Sequence, residues 1–174
     1  MEKKGQFYLM AAIILSMLIA GFATLSNFSQ RKDTVKIDDI NQELRTESEN
    51  VLDYGLNSGY TPGQINDLMQ NFTDDYINYS GNEKDIYFVF GNLDVITVKG
   101  YSQSAKTIYV DEGNGETSFA ISPGVAESMD FNPNGIFMNV TIDGISNDYV
   151  LKGGENFFFI ISQAKGGETY VAKN

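Results

Sequence analysis

The sequence contains no cysteine, no histidine and no tryptophan. Without cysteine there are no disulfides, no thiolate metal sites and no thiol nucleophiles. Packing alone must hold the fold, and a chain without free thiols suits an oxidising exterior. Without histidine the commonest general base and metal ligand is missing. Nucleophile-elbow, phosphate-loop and paired-carboxylate motifs are also absent, so the sequence reads as non-enzymatic and implies no cofactor. Basic residues are scarce as well. The formal net charge is −11, and residues 1–30 contribute only Glu2, Lys3 and Lys4, so the remainder carries about −12. With no basic stripe, an acidic chain repels phosphate backbones, which excludes nucleic acid as a partner.

Large apolar side chains are plentiful. The apolar fraction is 42%, with 12 Phe and 10 Tyr, enough for a real core. The length allows one membrane segment and one modest domain.

The membrane segment lies near the start. No charge occurs from Phe7 to Leu25. As a helix this run spans about 28 Å, close to the thickness of a bilayer's hydrocarbon core. A cleaved secretory signal has a shorter apolar core and a small-residue exit, so the run predicts a retained membrane helix. Lys3 and Lys4 precede it, whereas Arg31 and Lys32 follow it. The short leader and the acidic downstream region resolve this near tie in flanking charge. They predict a single-pass protein with its N-terminus in the cytoplasm and its C-terminal domain outside the cell.

Lys3-Lys4-Gly5-Gln6 running into this helix resembles the class III signal peptide of archaeal type IV pilin-like proteins and archaellins. The resemblance covers residues 3–25. It implies cleavage between Gly5 and Gln6 by a prepilin-type peptidase, with the apolar helix kept as anchor and assembly spine. It also implies membrane lipid, other copies of the chain and related pilin-like subunits as partners. Many such subunits carry Glu at the fifth mature position, where this chain has Met10. Ala12, Ser16 and Ala20 recur every four residues, a small-residue stripe suited to helix association in lipid. The alternative is a monomeric, membrane-anchored extracytoplasmic binding or envelope domain that does not polymerise.

Beyond the membrane the pattern is first helical. Ile37, Ile40, Leu44 and Val51 form one stripe, ended by Asn57-Ser58-Gly59. Thr61-Pro62-Gly63-Gln64 is a capping box with proline at the first helical position. It opens a second helix whose apolar face is Ile65, Leu68, Met69, Phe72 and Tyr76, closed by Ser80-Gly81-Asn82. After residue 84 the period becomes two. Strands are expected over 86–90, 93–99, 107–110, 117–121, 136–142, 149–152, 157–162 and 169–172, with short turns favouring antiparallel pairing. Phe157–Ile161 is apolar on both faces, which predicts a central strand paired with the one that follows it.

The expected fold class is α+β: an N-terminal transmembrane helix, extended by or followed by amphipathic helices, then an antiparallel β-domain in a pilin-like layout. The expected divisions are a cytoplasmic leader at 1–6, a transmembrane helix at 7–25, a stalk and helical region at 26–82 and an extracytoplasmic β-domain at 83–174.

Asn71, Asn78 and Asn139 stand in Asn-x-Ser/Thr tripeptides and are candidate glycosylation acceptors; Asn27 is too close to the membrane segment. Asp130, Asn132 and Asn134 with Gly135 match the first half of a calcium loop, but its twelfth position is Thr141 instead of Glu. Turn chemistry accounts for that stretch, and no metal is assigned. Asp111 to Glu116 reads as a solvated hairpin tip.

Overall fold

Two helices stack on one face of a two-sheet β-sandwich in the computed structural model, which describes residues 39–80, 84–165 and 168–173. The described residues from Ile40 onward belong to one unit, Ile40–Asn174. The apolar run 7–25, the Lys3–Gln6 motif and the Ala12/Ser16/Ala20 stripe lie outside the described residues. Among the described residues no helix is long and apolar enough to cross a membrane.

Helix α1 is described over 39–57. Helix α2 is Pro62–Ser80. The connection between them is held by the capping box. The Thr61 N–H donates to Gln64 Oε1 at 2.9 Å, and the Gln64 N–H donates to Thr61 Oγ1 at 3.4 Å. Two donors without helical partners are thereby satisfied, and Pro62 has none to satisfy.

Nine strands follow among the described residues: β1 Asp85–Gly91, β2 Ile96–Tyr101, β3 Lys106–Asp111, β4 Glu116–Ile121, β5 Ala126–Phe131, β6 Phe137–Ile142, β7 Ile145–Val150, β8 Asn156–Lys165 and β9 Glu168–Lys173. Sheet A has the order β5-β2-β1-β8-β9 and sheet B the order β4-β3-β6-β7, with every pairing antiparallel. The chain passes from sheet A to sheet B after β2 and returns after β4. The Gly124 N–H donates to Ser102 O at 2.8 Å and ties these two crossings together.

Two cores result from the alternation of side chains along each strand. Between the sheets lie Tyr87, Val89, Ile96, Val98, Ile108, Val110, Met138, Val140, Tyr149 and Ile160, among others. Between the helices and sheet A lie Leu44, Ile65, Met69, Tyr76, Ile86, Phe88, Phe90, Phe159 and Ile161. Burying each such side chain contributes about 1.5–3 kcal/mol. Aromatic contacts run through the helix-side core: Tyr76 meets Phe88 edge-on at 6.1 Å, Phe88 lies 5.7 Å from Phe157, and Phe157 lies 6.0 Å from Phe72.

Some strand expectations need correction. β5 is a strand in a stretch that reads as turn. It lies at the edge of sheet A with Glu127, Ser128 and Asp130 among its side chains, and it pairs only with β2. β7 runs over Ile145–Val150, not 149–152. Its Asn147 sits at a buried position, its amide donating to the backbone oxygens of Val140 and Ile145. β2 begins at Ile96, not Leu93, because Asn92 Oδ1 accepts the N–H groups of Asp94 and Val95 and folds 92–95 into a turn.

Candidate functional site

The residues singled out by the sequence are not gathered into one site. Asn71 and Asn78 lie exposed on α2. Asn139 is on β6, where its amide nitrogen, the atom a glycan would use, donates to Asp148 Oδ1 at 2.6 Å and to Ser146 Oγ. Asp130 accepts a hydrogen bond from Thr97 Oγ1 at 2.7 Å, and Asn134 donates to Asn114 Oδ1 at 2.8 Å, so these two candidate oxygen ligands point to different partners. No group of three His, Cys, Asp or Glu able to hold a metal ion occurs among the described residues.

Three features that the sequence alone did not reveal carry the polar chemistry of the described domain. The first is a wedge between α2 and β2. Asn66, Gln70 and Asp74 recur every four residues on α2 and face Thr97 and Lys99, two apart on β2. The Lys99 side chain is only 4% exposed, yet its Nζ lies 2.7 Å from Asp74 Oδ1 and donates to Gln70 O and Oε1 at 3.3 and 3.2 Å. A buried ammonium persists only with such partners. The spacings of four and two are visible in the sequence, but nothing there says that these faces meet.

The second is a groove of about 260 Å³ between α1 and α2, lined by Glu43, Glu47, Phe72, Asp75, Tyr76 and Tyr79. Burial pushes the Tyr76 hydroxyl far above its ordinary pKa, with the Glu43 and Glu47 charges adding to the shift. Carboxylates beside aromatic faces attract cationic groups. Phe72 and Tyr76 already read as one face of α2, whereas the contribution of α1 depended on how the helices pack.

The third is a recess of about 80 Å³ where the sandwich opens between the edge strands β7 and β9. Ile142, Ile145, Ile160 and Val171 supply aliphatic walls, and Tyr87, Asp143, Asn147, Ser162 and Thr169 supply polar atoms. Asp143 is held by Lys106, whose Nζ lies 2.5 Å from one carboxylate oxygen and 3.9 Å from Asp85. Tyr87 crosses the sheet beside Gly100, its register partner. A Cβ on Gly100 would lie 3.0 Å from the Tyr87 ring and 2.2 Å from Ile121 Cδ1, so glycine leaves space for the ring. Tyr87 is 3% exposed and its hydroxyl oxygen is shut off from solvent. The Ser102 hydroxyl hydrogen-bonds to it, which eases ionisation, and the same Oγ also accepts the Ser104 N–H at 3.1 Å. Burial dominates, and with the Asp85 and Asp143 charges it drives the Tyr87 pKa far upward, fixing the hydroxyl as a neutral group.

No protein-family model, curated protein or solved structure matches the chain.

Proposed function

We propose that this protein is a non-enzymatic, membrane-anchored cell-surface protein, a pilin-like subunit of a surface filament or related envelope assembly. Residues 7–25 anchor it as a single span, with the N-terminus cytoplasmic and the domain extracellular. The observation that carries this reading is the uncharged run from Phe7 to Leu25 placed directly after Lys3-Lys4-Gly5. A peptidase cutting after Gly5 would act at the cytoplasmic membrane face and leave the whole apolar helix on the mature chain. The domain's own features are compatible with this role. It has two cores without a disulfide, and the helical layer leads the β-sandwich in chain order.

Intact-mass spectrometry of the protein purified from its native membrane tests this reading. The mature chain is expected to begin at Gln6, and a terminus at Met1 or Glu2 would overturn the proposed processing. Met10 favours the second reading, a monomeric anchored domain. An apolar residue there cannot pair with a neighbour's terminal amine within a helix bundle. Crosslinking through the Ala12/Ser16/Ala20 stripe in the same membranes separates the two: multimers mark a subunit, and monomer alone leaves the anchor.

A further inference from the structure

We propose that the groove between α1 and α2 binds a linear polyamine, a flexible methylene chain carrying several separated ammonium groups. The inference is independent of whether the chain assembles into filaments.

The groove sets carboxylates around an aromatic floor. Phe72 and Tyr76 form that floor, with ring centroids 6.3 Å apart. Both rings are locked from below, Tyr76 against Phe88 at 6.1 Å and Phe72 against Phe157 at 6.0 Å. The floor is therefore in place before a ligand arrives, which limits the entropy lost on binding. Glu43 and Glu47 of α1 and Asp75 and Tyr79 of α2 stand around it, all of them exposed. A ligand can reach each of these groups from solvent.

The charge of the groove is unanswered. None of its three carboxylates forms an ion pair among the described residues. Arg45 is the one basic residue of α1 over 39–57. It lies two residues from each glutamate, about 200° around the helix. Helix α2 has no basic residue in its last turn, so the negative end of its dipole adds to the same field. That field is felt inside the floor, where Glu43 and Glu47 both oppose ionisation of the Tyr76 hydroxyl.

The arrangement then selects among cations. Glu43, Glu47 and Asp75 do not make a group able to hold a metal ion. A compact ion cannot meet all three, whereas separated ammonium groups can. Glu43 and Glu47 are one turn apart, about 6 Å along the helix axis. A trimethylene or tetramethylene spacer bridges such a span. The methylenes between the charges would lie on the aromatic floor, and an ammonium over a ring face gains from the ring's quadrupole. Size agrees with this choice. A volume of about 260 Å³ equals the liquid volume of roughly nine waters, room for a chain of about ten heavy atoms such as spermidine.

Isothermal titration calorimetry of the full chain in uncharged detergent micelles tests this, with spermidine as probe at fixed ionic strength. One saturable site is expected, and its absence overturns the proposal. Glu43→Gln/Glu47→Gln should weaken binding about tenfold, the loss of two exposed ion pairs. Asp94→Asn/Glu116→Gln removes the same charge at exposed positions outside the groove and should leave the affinity unchanged. Equal weakening in the two double variants would mean that spermidine follows net charge alone, and overturns the proposal. Tyr79 is 82% exposed, so Tyr79→Ala should fold normally and bind about threefold more weakly. Hexaamminecobalt(III) carries the charge of spermidine without its methylenes and should bind more weakly. Equal binding of the two would reduce the site to a countercharge and overturn the polyamine assignment. Tighter binding of trilysine than of spermidine would overturn it in favour of a basic protein segment.

Discussion

Sheet A is covered on both faces, sheet B on one. In β1 every residue from Ile86 to Gly91 is buried, with successive side chains feeding the helix-side core and the inter-sheet core in turn. In β3 burial alternates strictly from Thr107 to Asp111, because only one face meets another layer. The same polypeptide thus uses two patterns for strands of similar length. Continuous apolarity marks a middle layer and alternation marks an outer one. Where sheet A must carry a polar group towards the helices, it needs dedicated partners, as Lys99 shows. Sheet B can leave Thr107 to water, while Ser146 and Asp148 share an exposed contact with Asn139.

Truncating one aromatic in each sheet should expose this difference most. Phe159 of sheet A is fully buried, and Phe159→Ala should cost about 3–5 kcal/mol in denaturant unfolding. Phe137 of sheet B is 68% exposed beside its cross-strand neighbour Val150, and Phe137→Ala should cost less than about 1 kcal/mol. Equal costs would break the distinction between middle and outer layers.

Charged pairs sharpen the comparison at a smaller scale. Asp74→Ala leaves the buried Lys99 ammonium with the two Gln70 oxygens, and because Asp74 is itself 52% exposed the loss should be about 2 kcal/mol. Asp143→Ala leaves Lys106 near Asp85 at a more open edge and should lose less than about 1 kcal/mol. The two variants can be ranked by thermal unfolding, and a reversed order would mean that the α2–β2 wedge tolerates an unpaired charge.

The smallest effect appears at high pH. Burial raises the pKa of Tyr76, Tyr87 and Tyr149 well above their ordinary 10.0. Above pH 10 the unfolded chain releases these protons while the fold retains them. Stability must therefore fall as pH rises from 10 towards the folded-state values. Tyr149→Phe should make this alkaline decline shallower without altering its direction. A stability curve measured from pH 9 upward that did not change would show the Tyr149 hydroxyl to be solvated.

What the sequence made legible follows local chemistry. Thr61-Pro62-Gly63-Gln64 specifies its own cap, and Phe157–Ile161 announces an inner strand because it has no polar face. The β8–β9 pairing was equally readable, since its partners are close in the chain. β5 was hidden because an edge strand with Glu127, Ser128 and Asp130 resembles a solvated turn. β7 was displaced because Asn147, a turn former by composition, is buried and bonded to backbone oxygens. The division into two sheets was not legible, as it depends on pairings such as β2 with β5 across an entire intervening hairpin. For the same reason the recess went unread. Tyr87, Ile145 and Val171 come from distant parts of the chain, and only the open side of the sandwich brings them together.

The partnership of β1 with β8 sets a schedule for acquiring the fold. Asp85 finds Ser162 as its register partner, and the whole of sheet B is encoded between them. Until β8 is available, β1 has β2 on one side and an open edge on the other, with Phe88 and Phe90 unable to complete their cores. Closing so long a loop is slow, and the delay exposes an adhesive strand to neighbouring chains. A chain emerging from its N-terminus first would therefore hold its most aggregation-prone edge open until nearly the last segment arrived. Truncation before Asn156 should leave a sticky intermediate instead of a smaller stable domain.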